Sequence, residues 1–130
     1  MLIQIILNFF IGILIGVLLE FSFRSIEEKK LIMPKLIDCQ MYGLIATFLT
    51  ILYFLHISLV FKLILMFIIP TLIEFATGYL YFKIKKVHLW DYKEEKYNFM
   101  ELVCPLFSFF WFIISLLYYF LFLPFIVNLF

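Results

Sequence analysis

Residues 63–82 read LILMFIIPTLIEFATGYLYF, a run of twenty whose single charge is Glu74. At 1.5 Å per residue, a helix of that length covers about 30 Å, the thickness of a bilayer's hydrocarbon core. Outward from this run the pattern recurs: residues 1–19, 40–61 and 102–130 carry no Asp, Glu, Lys or Arg. Of the 130 residues, 67% are hydrophobic and only 15% are charged, whereas soluble domains are about half apolar and about a quarter charged. The composition excludes the water-soluble class. The chain reads as all-α, a polytopic transmembrane helical bundle of about four spans.

The expected spans are about 2–23, 39–55, 59–82 and 100–123, joined by charged connectors at 24–38 and 83–99, in a single transmembrane domain covering 1–130. His56-Ile57-Ser58 is the weakly polar interruption that places a tight hairpin between the second and third spans. Pro34 marks a break in the first connector, since a proline disfavours helix at the residue before it. Pro105 suits a first helical turn and Pro124 a helix end, which is why the last span is expected to stop near Leu123. The start, Met1-Leu2-Ile3-Gln4, has neither a basic leader nor a small-residue cleavage site after the apolar run, so residues 2–23 read as a retained span.

Neither connector is long enough to fold as a domain, and there is no glycine-rich phosphate loop, so these residues hold no ATPase, kinase or dehydrogenase module. The formal net charge of +1 excludes a nucleic-acid partner. Charge position is more informative than charge total. Of the ten Lys and Arg residues, nine lie in the two connectors, the exception being Lys62. The positive-inside rule then places both connectors in the cytoplasm and both termini outside the cell membrane.

A faint repeat links the halves: Glu20, Lys29-Lys30 and Asp38 parallel Glu74, Lys85-Lys86 and Asp91. Two helical hairpins of one orientation would give this pattern, as would chance similarity of two short segments. Gly12 and Gly16, four apart, form a surface on which another helix packs closely, and Pro70, Glu74 and Gly78 form a second four-residue stripe.

Glu74 is the leading candidate for function, because an acid within a span costs about 2.5–3.5 kcal/mol on insertion scales. The competing reading is a structural acid that stays protonated or pairs with a lysine. Glu20, with Arg24 one turn on, reads as an ion pair at the exit of its span. Trp90-Asp91-Tyr92 combines two interfacial aromatics with an acid able to meet a helix N-terminus or a cation, and Asn98 is positioned to cap the last span. Trp111 reads as packing. Ser108 and Ser115 read as hydroxyls bonded back to their own helix. Cys39 and Cys104 read as thiols on apolar faces. No nucleophile–base pair or metal-ligand cluster emerges, so no catalytic residue, metal or cofactor is expected, and the chain does not read as an enzyme.

Thr71-Leu72-Ile73-Glu74-Phe75-Ala76-Thr77-Gly78, Leu89-Trp90-Asp91-Tyr92, Asn98 and Trp111 together resemble the motifs of the ABC-transporter type IV (CmpB-like) family of bacterial membrane proteins. Gly16-Val17-Leu18-Leu19-Glu20 and Tyr42-Gly43 are similar to its amino-terminal half. The chain departs from the family pattern before the second span, where Leu36 to Met41 replace a proline-rich stretch, and again at Lys93-Glu94 and Phe99.

The resemblance implies a permease-like or accessory subunit of a membrane transport system. Its polar cluster would join Glu20 and Glu74 to Trp90, Asp91, Tyr92 and Asn98. Four short spans barely enclose a path, so a homo-oligomer, or another membrane or ATPase subunit, is the expected partner within the lipid bilayer. Two other readings stand beside it: a non-transporting anchor or adaptor that binds a soluble partner through its connectors, and a membrane-embedded enzyme using Glu74 and Asp91 as acid and base.

Overall fold

The computed structural model describes residues 2–28, 36–86, 96–100 and 102–129, leaving aside the side chains at 24, 27, 28 and 36–38. The described chain is helical: α1 (Leu2–Glu28), α2 (Leu36–Phe54), α3 (Leu59–Lys85), α4 (Pro105–Leu117), a π-helical turn (Tyr118–Phe122) and α5 (Leu123–Leu129). Among the described residues there is no strand, only an isolated bridge between Phe99 and Val103. Three helices are long and apolar enough to cross a membrane: Leu2–Phe23 within α1, Leu59–Lys85, and the Pro105–Leu129 stretch. The apolar part of α2, Cys39–Phe54, is shorter.

Two compact units divide the chain, Met1–Leu55 with Leu123–Phe130, and His56–Phe122. The first contains the α1–α2 hairpin and the second the α3–α4 hairpin.

In the first unit the hairpin closes on glycine. A Cβ added at Gly12 would lie 2.7 Å from the Tyr42 carbonyl oxygen, 2.7 Å from Ala46 Cβ and 2.9 Å from Gly43 Cα. Gly43 is equally enclosed by the Phe9 carbonyl and Ile13. Such backbone approach is what small residues permit in a bilayer, where burial against lipid-like side chains gives little driving force and packing decides association. The small-residue face read from Gly12 and Gly16 is therefore occupied by α2.

In the second unit the buried residues of α3 are Met66, Pro70, Glu74 and Gly78, one every four positions. Those of α4 are Ser108, Trp111 and Ser115. The Phe67 and Phe112 rings meet edge to face at 5.8 Å between these helices. Outward faces remain apolar: Phe10 is 63% exposed, Leu14 61%, Leu72 54% and Leu121 69%. Apolar surface on this scale requires lipid around it.

Helix ends follow local chemistry. Ser58 caps α3, its hydroxyl oxygen accepting from the Phe61 N–H at 3.3 Å, and this fixes the turn after Phe54. Lys86, in the left-handed region at φ 63°, ends α3 by donating its N–H to the Phe82 carbonyl at 2.8 Å.

The last helix differs from the sequence expectation at both ends. It begins at Pro105, with extended Cys104 as its N-cap, and not near residue 100. Pro105 occupies the first turn, where its missing N–H leaves no bond unmade. Asn98 lies six residues ahead of that cap, after which Phe99 and Val103 pair, so the N-cap position belongs to Cys104. Pro124 does not end the helix, which runs on to Leu129. A proline needs the preceding turn opened, because its ring meets the carbonyl four residues back. The π-turn Tyr118–Phe122, immediately before it, widens the helix where that opening is required.

Candidate functional site

Glu74 lies a little past the middle of α3 on its buried stripe and is 2% exposed. Its Oε2 accepts a hydrogen bond from the Trp111 indole N–H at 3.0 Å, across the hairpin from α4. Trp111 is itself 5% exposed. One helical turn earlier on each helix, the Thr71 hydroxyl donates to Ser108 Oγ at 2.8 Å and also lies 3.2 Å from the Phe67 carbonyl. The α3–α4 interface thus carries a line of polar groups through an otherwise apolar hairpin. Ser115, fully buried one turn beyond Trp111, has no hydrogen-bond partner for its hydroxyl among the described residues.

The hydrogen bond does not by itself account for the acid. An interhelical hydrogen bond inside a membrane contributes about 0.6 kcal/mol on average and about 1.7 at most. Insertion of an acid costs about 2.5–3.5 kcal/mol. An apolar residue at position 74 would avoid that cost, which makes Glu74 the candidate functional residue of the hairpin.

The first unit repeats the arrangement. Tyr42, on α2, donates its hydroxyl to Glu20 Oε1 on α1 at 2.8 Å. Tyr42 also fills the space beside Gly16, where an added Cβ would lie 2.7 Å from its Cδ2. Each hairpin therefore sets an acid on its first helix against an aromatic donor on its second. Elsewhere, Thr47 and Thr50 bond back to the carbonyls of Gly43 and Ala46, as hydroxyls in spans commonly do. Asn8, fully buried in α1, donates to the Gln4 carbonyl at 2.6 Å.

Several sequence-derived candidates stand differently in the structure. Trp90, Asp91 and Tyr92 lie outside the described residues, as does the Arg24 side chain expected to pair with Glu20. Glu20 and Glu74 belong to different compact units, each bonded within its own hairpin. Trp111, read as packing, donates a hydrogen bond to Glu74. Ser108 pairs across the hairpin instead of back to its own helix. Cys39 and Cys104 are both buried and outside any disulfide. Gly78 is buried on the Glu74 stripe. Among the described residues no cluster of three or more His, Cys, Asp or Glu is placed to hold a metal ion.

The family described as "Putative ABC-transporter type IV" matches residues 7–130, and the chain belongs to that family. No curated protein and no solved structure matches it.

Proposed function

We infer that this chain is a permease-like or accessory membrane subunit of a transport system, with the Glu74–Trp111 pair as its intramembrane polar site. The observation that carries the reading is an acid 2% exposed inside a span and fixed by an indole N–H across the hairpin. Intramembrane acids of this kind belong to solute and ion pathways more than to scaffolds. Family membership supplies the class, a protein related to ABC transporters. These residues hold no phosphate-binding loop, so the energising ATPase lies outside them. Both connectors, which carry nine of the ten basic residues, would face the cytoplasm and be available to such a partner.

A second reading, a non-transporting anchor or adaptor, draws on the same dryness of Glu74. An acid sealed at 2% exposure is not in contact with a solute in this conformation.

Purification from native membranes with mass spectrometry, combined with growth complementation of a deletion strain, separates the two. A subunit of a transport system retains an ATPase partner, and Glu74→Gln keeps that partner while losing complementation. Full complementation by Glu74→Gln, together with loss on neutralising the connector lysines, would overturn the transport reading in favour of the adaptor.

A further inference from the structure

Lys62 is the one basic residue outside the connectors, and it lies in the first turn of α3. Its ammonium is held in place by a neighbouring helix: Nζ donates to the Tyr119 hydroxyl at 2.8 Å and lies 5.5 Å from the centroid of the Tyr119 ring. A lysine at a membrane interface ordinarily extends its stem towards water. Lys62 instead reaches sideways and is partly buried against α4's continuation into the π-turn.

Among the described residues of the second unit, no acid lies beside it. Residues 39–73 and 102–130 contain no Asp or Glu, so both helices are acid-free at this end of the hairpin. The first acid along α3 is Glu74, twelve residues on, about 18 Å away by helical rise, and it is bonded to Trp111. Asp91, Glu94, Glu95 and Glu101 lie outside the described residues. An ammonium has three N–H donors, and among the described residues Tyr119 alone accepts from this one.

We propose that Lys62, positioned by Tyr119, is the centre of an oxyanion site that binds a phosphate group, carried by a membrane lipid headgroup or by a free phosphate. The chemistry is the same for both sources: a cation held by a tyrosine hydroxyl, with donors to spare and no acid beside it among the described residues of its unit, near the start of a span. The α3 N-terminus, capped by Ser58 four residues earlier, adds partial positive charge at the same end.

Native mass spectrometry of the full chain in detergent tests this, with phosphatidylglycerol, diacylglycerol of the same acyl chains, and inorganic phosphate as probes. Wild-type protein is expected to retain phosphatidylglycerol in preference to diacylglycerol. Lys62→Gln should lower occupancy of the most firmly held phosphatidylglycerol about fivefold, the effect of one lysine at an anionic surface. Lys62→Arg should preserve it, and the control Lys85→Gln should leave it in place. Displacement of that lipid by millimolar inorganic phosphate, with a phosphate adduct on lipid-free protein, would assign the site to free phosphate. Persistence of the lipid under phosphate would assign it to the headgroup. Equal retention of diacylglycerol by the wild type overturns the proposal even if Lys62→Gln fails to fold. Unchanged occupancy in Lys62→Gln, with phosphate without effect, overturns it as well.

Discussion

Replacing Glu74 by Gln removes the ionisable group while keeping an amide oxygen where Oε2 accepts from Trp111. If the acid is retained for function, stability should be unchanged or rise slightly, because the insertion cost of the acid, about 2.5–3.5 kcal/mol, is relieved and the hydrogen bond kept. Trp111→Phe should destabilise the hairpin by about 1–2 kcal/mol, from the lost N–H donor and the smaller ring at a site only 5% exposed. With the single variant Glu74→Leu and the double variant Glu74→Leu/Trp111→Phe completing a cycle, part of that loss should vanish in the double variant, giving a coupling energy of about 0.6–1.7 kcal/mol, the range of single intramembrane hydrogen bonds. Reversible unfolding in bicelles measures all four variants, and complementation is scored on the same set. Destabilisation by more than about 2 kcal/mol in Glu74→Gln would refute the reasoning, since the carboxylate would then be a structural group like those whose buried partners are lost at such a cost.

Further outcomes follow from the packing. Gly12→Ala meets the backbone of Tyr42 and Gly43 and should cost about 1–3 kcal/mol in any background, whereas Gly16→Ala meets the Tyr42 side chain, ring and Cβ alike, and should be relieved in part, though not wholly, in a Tyr42→Ala background that keeps the Cβ; both are read by the same unfolding assay, and rescue of Gly12→Ala by Tyr42→Ala would contradict the close-packed crossing. In protein lacking Cys39 and Cys104, an impermeant maleimide added to intact cells should label Ile57→Cys, exposed at the α2–α3 turn, and should leave Lys85→Cys unlabelled until the cells are opened; the reverse pattern would invert the orientation.

The fold was legible because charge is scarce. In a chain 15% charged, the positions of the charges mark where helices leave the bilayer, and the α2–α3 turn falls at Ser58 without help from Gly or Pro. Glu74 stood out for the same reason, as the only charge in its run. Its partner did not, because 22% of the residues are aromatic and nothing distinguishes Trp111 or Tyr42 from neighbours that face lipid. Partner choice depends on which turn of α4 faces which turn of α3, a property of the crossing and not of either helix alone. Pro124 misled for a related reason. Read locally it ends a helix, but a π-turn placed just before it removes the steric objection, and the aromatic run Tyr118 to Phe122 carries no recognisable sign of that turn.

The structure bears on the repeat from an independent direction. In sequence, the two halves are linked only by an acid, a lysine pair and an aspartate at similar spacing, features that connectors of similar composition share by chance. In space, the two acids do the same thing. Glu20 accepts from Tyr42 at 2.8 Å and Glu74 from Trp111 at 3.0 Å, each from the second helix of its own hairpin. A duplicated hairpin would give this pairing twice, and so would chance in a chain that is 22% aromatic. The residue one turn before each acid differs, Gly16 in one hairpin and Pro70 in the other, and so does the donor. Tyr42 bonds an acid that is partly exposed, and Trp111 one that is sealed. The same pairing thus stands in two environments, and the sealed one is where the cost of an acid is greatest and its replacement most informative.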